Sequence, residues 1–404
     1  MNLPFMPSRF LRGQTLNIEP LEQQQASAKV LALSKVLIAR QSITPDDRGC
    51  QQVLRERLKC MGFVCEDVSR NGVTNTWAVK GTDGPMLVMA GHTDVVPPGP
   101  RDLWHSDPFT PTVKDGFLYG RGAADMKTGL AAQVIAVEQF LEKYPQHKGR
   151  LAFAITSDEE GDAFDGTWAI TDKLKAENLI PDWCLVGEPS SKLTVGDGVR
   201  VGRRGSLTGW VTIKGKQGHV AYAADVINPI HAAERFLRKI TTKQWDFPSR
   251  YFPATSCQVV KFDAFSGANN LTPASADITF NFRYSPKQTA AKLQKYIENK
   301  LSSYGLDYDI RWQVDAEPFL SRNNPLLQAT KEVLLGINGI KPEVNTAGGT
   351  SDGRFFASIG TSVVELGVIN KTIHRPNEVV ELSELTKLVL MYQKIIEKLL
   401  MPST

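Results

Sequence analysis

"PMLVMAGHTDVV", Pro85–Val96, decides how this chain folds. Met86 to Ala90 is a run of apolar residues with no polar alternation. That is the pattern of a strand covered on both faces rather than one half-exposed to water. Two further stretches repeat it: "RLAFAITSDEE" (150–160) and "DWCLVGEPS" (182–190), with "TWAVKG" (76–81) as a shorter strand. Between them lie segments with helical apolar spacing: "KVLALSKVLIAR" (29–40), "CQQVLRERLKCMGF" (50–63) and the long "DMKTGLAAQVIAVEQFLEKY" (125–144). Buried strands alternating with helices predict an α/β unit built on a mixed, largely parallel sheet flanked by helices.

The pattern changes near Gly205. "SLTGWVTIKG" alternates like a half-exposed strand, "NPIHAAERFLRKIT" is helical, "SCQVVKFDAF" and "ADITFNFRYS" are strands, "KQTAAKLQKYIENKLSSYG" is helical and "DYDIRWQVD" is a strand. This β-α-β-β-α-β order predicts a small antiparallel ferredoxin-like sheet with helices on one face. After residue 317 the first pattern resumes with "NPLLQATKEVLLGI", "SVVELGV" and the closing helix "SELTKLVLMYQKIIEKLL". The expected organisation is an N-terminal extension over 1–26, a catalytic part over 27–204 and 318–404, and an inserted domain over 205–317.

Composition narrows the function. A chain of 404 residues is long for one core, which agrees with two domains. The net charge of +4 is small for this length, and no Lys/Arg-rich block or membrane-length apolar run occurs. Neither nucleic acid nor a membrane is therefore an expected partner. Five cysteines, with no C-x-x-C spacing, predict reduced thiols in a cytoplasmic protein rather than disulfides or a thiolate metal cage. The start of the chain has no continuous apolar core of a secretory signal, so it reads as a loosely ordered extension.

The chemistry gathers where strands end. His92 and Asp94 lie two apart and project to the same side of an extended chain. One can bind a metal while the other orients the imidazole. Asp125 precedes the long helix, where a plain N-cap is the competing role. Glu159 and Glu160 are adjacent at the mouth of a buried strand, Glu188 follows another, and His374 lies in the loop after "SVVELGV". Open α/β sheets bind ligands just beyond the carboxyl ends of their strands. Carboxylates gathered there raise one another's pKa unless cations neutralise them. Two divalent ions about 3.5 to 4 Å apart would do so and form a hydrolytic centre. Imidazole with carboxylate suits zinc, with cobalt or manganese as substitutes. Successive side chains at a strand end diverge, so Glu160 can be a ligand while Glu159 serves as acid and base.

The ordered set "GHTDVVP", "GRGAADMK", "SDEEG", "GEPS" and "IHRPNE" resembles the M20 family of metal-dependent aminoacylases and peptidases, over about residues 28 to 400. The resemblance implies that Asp125 bridges two metal ions, with His92 and Glu188 completing one site and Glu160 and His374 the other. It implies Glu159 as general acid/base, Asp94 as the partner of His92, and a cis bond between Asp125 and Met126. The inserted domain would be a lid and dimerisation module of a homodimer. From it, His219 of "QGHVAY" would reach the partner subunit's active site to stabilise an oxyanion, with Tyr222 facing the substrate.

Further motifs, "GRRGSLTG", "NFRYS", "GANNLTP", "GGTSDGRF" and "VINKTIH", are similar to those of family members acting on a carboxylate-rich amide. The activity implied is cleavage of N-succinyl-L,L-2,6-diaminopimelate to succinate and L,L-2,6-diaminopimelate, in bacterial lysine and cell-wall precursor synthesis. Arg203 and Arg283 would grip carboxylates, with Arg204 the alternative to Arg203. One of Asn269 and Asn270 would add a polar contact, and Gly349, Thr350 and Asn370 would line the pocket. The metal residues alone leave acetylornithine deacetylase or carboxypeptidase chemistry open. A non-catalytic binding module would lack a ligand or Glu159, and none is missing.

Overall fold

The computed structural model describes residues 20–401. Residues 1–19 of the expected extension lie outside the described residues. From Pro20 onward the rest of that extension is helical, because the first helix runs Pro20–Ile38 rather than starting at Lys29. The described residues form two compact units, one reaching to Arg200 and including Ser321–Val344 and the segment from Ile359 onward, the other of Val201–Leu320 and Asn345–Ser358. Sequence reading leaves 345–358 with the larger part, whereas the segment packs with the smaller.

The larger unit is built on an eight-stranded sheet. Its order is Val64–Asp67, Asn75–Lys80, Arg150–Thr156, Met86–His92, Trp183–Val186, Ser362–Glu365, Gly198–Arg200 and Glu343–Asn345. The four central strands are mutually parallel, with His92 opposite Thr156 and Ala90 opposite Val186. Their carboxyl ends therefore share one edge. The neighbours on either side pair antiparallel, which makes the sheet mixed. All seven residues of Met86–His92 are buried, as the unbroken apolar run requires.

Helix Lys127–Lys143 lies on Met86–His92 and is itself covered by Pro20–Ile38 and Leu382–Leu400. Covered on nearly all sides, it has no polar stripe over Leu130–Val137. Glycines let it approach closely. A Cβ at Gly129 would fall 2.5 Å from the Gly187 carbonyl oxygen, and one at Gly367 would strike the carbonyls of Gly187 and Glu188. Both close approaches fix the segment that bears Glu188.

The smaller unit has a four-stranded antiparallel sheet ordered Ser256–Asp263, Ser275–Tyr284, Gly205–Lys214, Tyr308–Ala316. With helices Pro229–Thr242 and Ala290–Ser303 inserted in chain order, this is the ferredoxin-like β-α-β-β-α-β arrangement. Leu207, Val211 and Ile213 from one strand and Ile278, Phe280 and Phe282 from its neighbour point to a single face. Ala233, Phe236 and Ile240, and Leu293, Ile297 and Leu301, meet them at helical spacing. Fully burying each of the larger side chains, Ala233 apart, contributes about 1.5–3 kcal/mol. Gly209 is needed in its strand because a Cβ would lie 2.5 Å from Phe280 Cζ and 2.7 Å from Trp312 Cζ3.

Candidate metal centre

Three of the four central strands hand one acid or imidazole to the shared edge. His92 is the last residue of its strand and fully buried. Glu160 follows the strand Arg150–Thr156 by four residues, and Glu188 follows Trp183–Val186 by two. Asp125 comes from the turn before the long helix. The helix begins at Lys127, its cap position is Met126, and no side chain caps it. The N-cap role for Asp125 is thereby not realised. The Asp125–Met126 bond is cis.

Asp125 Oδ1 lies 3.3 Å from His92 Nε2, and its Oδ2 lies 3.3 Å from His374 Nε2. Glu188 Oε1 is 3.5 Å from His92 Nε2, and Glu160 Oε1 is 3.0 Å from His374 Nε2. His92, Asp125 and Glu188 offer donor atoms within 4.8 Å of one another, and so do Asp125, Glu160 and His374. One carboxylate thus serves two donor groups, each completed by one imidazole and one glutamate. That donor chemistry fits two neighbouring divalent cations of the zinc, cobalt or manganese kind.

Orientation comes from backbone contacts as much as from side chains. His92 Nδ1 donates to the Asp94 carbonyl at 2.9 Å, with the Asp94 carboxylate at 3.5 Å, so Nε2 is left as the ligand atom. Asp94 has a second task. Its Oδ2 accepts the N–H groups of Glu159 at 3.1 Å and Glu160 at 3.0 Å. The adjacent glutamates are therefore anchored through their own peptide bonds, independently of their carboxylates. His374 sits in left-handed backbone, φ 60°, a conformation that non-glycine residues adopt rarely and often at functional positions.

The protonation balance follows from this crowding. Burial alone would depress the His92 imidazole, but hydrogen bonds to Asp125, Asp94 and Glu188 outweigh it and hold its pKa well above the ordinary value. Hydrogen bonds to Asp125 and Glu160 lift His374 to about 10. Burial pushes the Glu160 carboxyl above the usual range, the His374 hydrogen bond opposes the rise, and the Asp125 charge adds to it. Ligation needs neutral imidazole and ionised carboxylate. Below the raised pKa of His374 an entering cation must expel a proton, so affinity strengthens as pH rises. Zinc titrated into ion-free protein at pH 6.5 and 8.5 should bind about tenfold more tightly per pH unit for each proton released. Affinity independent of pH would show that these groups are not the ligands.

The remaining sequence-predicted residues fall on both units. Asn370 belongs to the larger, where its N–H donates to the Ser191 carbonyl, three residues beyond Glu188. Within the smaller unit, Gly218–His219 pairs with Leu271–Thr272, and the Val220 N–H donates to Asn270. That ribbon brings His219, Asn269 and Asn270 together, with the Tyr222 ring 5.8 Å from that of His219. Arg203 is buried and donates to the carbonyls of Ala347 and Gly349, which ties it to the segment bearing Thr350. Arg204 is held below the ordinary guanidinium range by burial and then by the charge of Arg283. Arg283 is likewise held below the ordinary range by burial, an effect that the Asp315 charge opposes and the Arg354 charge reinforces. Arg204, Arg283 and Arg354 thus form a cationic cluster.

Arg354 escaped the sequence reading although it lies in the quoted "GGTSDGRF". So did Arg121 and Glu378, which sit inside "GRGAADMK" and "IHRPNE" and pair at 2.7 Å in the interior. The available signal was opposite charge within two otherwise small or polar motifs. Lys127 is also buried, its Nζ donating to the carbonyls of Leu37 at 2.9 Å and Arg40 at 2.8 Å.

The chain is similar to known proteins over most of its length. The family model for Peptidase family M20/M25/M40 matches residues 88–398. A succinyl-diaminopimelate desuccinylase of Bordetella petrii is 48% identical over 93% of this chain and 99% of its own length. One of Shewanella piezotolerans is 50% identical over 93% and 98%. Among solved structures, the M20-family metallo-carboxypeptidase of Sulfolobus solfataricus superposes with a TM-score of 0.77 at 18% identity, covering 91% of this chain and 98% of that one. A dinuclear metal-binding M20 peptidase of Bacillus subtilis gives 0.69 at 16% identity, covering 92% and 98%. At such identities these two likenesses speak for the fold alone.

Proposed function

Because the chain belongs to peptidase family M20/M25/M40, we propose that it is a metal-dependent amide hydrolase that cleaves N-succinyl-L,L-2,6-diaminopimelate to succinate and L,L-2,6-diaminopimelate. The observation that carries the chemistry is the sharing of Asp125 between two His/Glu donor groups. The near full-length identity to proteins named desuccinylases carries the substrate.

Two divalent ions, zinc in the first place with cobalt or manganese as substitutes, would be held by His92, Asp125 and Glu188 and by Asp125, Glu160 and His374. Bound there, they would polarise the amide carbonyl and lower the pKa of water. Glu159 takes the proton of the attacking water and later delivers it to the departing amine. Asp94 keeps Glu159 in place through the peptide N–H it accepts. Three substrate carboxylates call for cations. Arg283, with Arg203 or its neighbour Arg204, supplies them, and Asn269 or Asn270, Tyr222, Gly349, Thr350 and Asn370 supply polar contacts and shape. We assign the smaller unit to lid closure and homodimerisation. His219 of the partner subunit then donates to the oxyanion of the tetrahedral intermediate. The five cysteines are thiols rather than disulfides, which suits a reducing cytoplasm. No helix among the described residues is long and apolar enough to cross a membrane.

The test is turnover by zinc-loaded protein of the succinyl substrate, N-acetylornithine and a peptide panel, read as released amine. Preference for the succinyl substrate by at least about 100-fold in kcat/KM, abolished by chelation and restored by zinc, is the expected result. Preference for acetylornithine or a peptide would keep the hydrolase and reassign the arginines. No turnover with metal bound would leave a binding module.

A further inference from the structure

Glu378 belongs to neither donor group, yet it contacts the segments of both loops that carry ligands. The turn Gly120–Asp125 precedes the helix and has no ladder of its own. Three of its N–H groups converge on the Glu378 carboxylate. Oε1 accepts from Ala124 at 2.8 Å and Asp125 at 2.9 Å, and Oε2 accepts from Gly122 at 3.1 Å. Arg121 Nη1 donates to the same Oε2 at 2.7 Å. These four bonds use the full acceptor capacity of a carboxylate.

The backbone repeats the link. The Gly120 N–H donates to the Glu378 carbonyl at 3.0 Å, and Arg121 Nη1 reaches the Arg375 carbonyl at 3.3 Å. His374 lies four residues before Glu378. Its loop is closed by Thr372 Oγ1, which accepts the Val379 N–H and donates to the Val379 carbonyl, each at 3.2 Å. Asn377 adds contacts to the His105 N–H at 2.7 Å and the Leu103 carbonyl at 3.0 Å.

His92 and Glu188 stand at or just beyond the ends of sheet strands, where ladder hydrogen bonds hold them. Asp125 and His374 stand on loops. We infer that Glu378, with Arg121, is the positioning pair that fixes Asp125 against His374 and so sets how tightly the Asp125–Glu160–His374 group holds its ion. A carboxylate accepting several N–H groups makes short, charge-assisted bonds. Glutamine in its place offers one acceptor and turns an NH2 toward donors, leaving buried N–H groups unmatched. The turn must then shift, and metal ligation tolerates only about 0.2 Å.

The inference rests on the proposed two-ion centre, and the experiment separates the two. Ion-free wild type, Glu378→Gln and Arg121→Lys are titrated with zinc by calorimetry and with cobalt by its visible spectrum. Phe280→Ala, a change in the other unit's core, serves as the control for lost stability alone. Wild type should bind two ions. Glu378→Gln should bind the ion of the Asp125–Glu160–His374 group about 10- to 100-fold more weakly, with a smaller loss at the other group because Asp125 is shared, and excess zinc should restore kcat. Phe280→Ala should keep both affinities in its folded fraction. Folded Glu378→Gln with both affinities unchanged overturns the inference. Should that variant not fold, Arg121→Lys, which keeps the charge but not the fork, gives the same readout, and unchanged affinities there overturn it equally. Fewer than two ions in wild type would remove the two-ion centre itself, and this inference with it.

Discussion

Glu159→Gln should lower kcat by about 10²- to 10⁴-fold while both ions stay bound and KM moves little. Glutamine keeps the size of the side chain and the peptide N–H that Asp94 accepts at 3.1 Å. It loses only the capacity to take a proton from water and return it to the amine. Its neighbour makes the comparison informative. Glu160 lies 3.0 Å from His374 Nε2 and belongs to a donor group, so Glu160→Gln should lower zinc content as well as rate. Steady-state kinetics with metal analysis of the same preparations checks both. If Glu159→Gln turned over like wild type, the proton-transfer role would be wrong. If it lost an ion, Glu159 would be a ligand and the assignment of the pair would reverse.

The sheet was readable because its signal is local. The apolar run at Met86–Ala90 requires cover on both faces, and all seven residues of that strand are buried. The ferredoxin-like order of the smaller unit was equally legible, since period-two strands and period-3.6 helices write their faces into the sequence. Both donor groups consist of residues already singled out, because imidazoles and carboxylates after buried strands have few other reasons to accumulate. What stayed hidden was support through the backbone. Sequence suggests that Asp94 acts on His92 by its carboxylate. The shorter contact is in fact the Asp94 carbonyl, and the carboxylate chiefly accepts the N–H groups of Glu159 and Glu160. Glu378 stayed hidden for the same reason. It bonds to the N–H groups of residues some 250 positions away, and N–H groups have no spelling in a sequence. The segment 345–358 was misplaced because a short return to the smaller unit leaves no periodic trace.

Asp125→Ala should be the most damaging single change, because Asp125 is the one residue common to both donor groups. Each group would retain one imidazole and one glutamate. Loss of even a supporting contact costs about 10- to 100-fold in metal affinity, so losing a ligand should weaken each ion by at least about 100-fold. Turnover should fall below that of Glu159→Gln, since neither polarised carbonyl nor activated water remains. Asp125→Asn sharpens the argument. Oδ1 faces His92 and Oδ2 faces His374, each at 3.3 Å, and an amide can present its oxygen to only one of them. The asparagine variant should therefore keep about one ion per subunit where alanine keeps none, with zinc titration followed by dialysis and metal analysis as the readout. Two ions held by Asp125→Ala with wild-type affinity would mean that the groups are held together by the fold rather than by the shared carboxylate. A loss confined to one ion in the alanine variant would mean that the second group does not depend on Asp125. Only the graded series, two ions, then one, then none, follows from a carboxylate that spends one oxygen on each site.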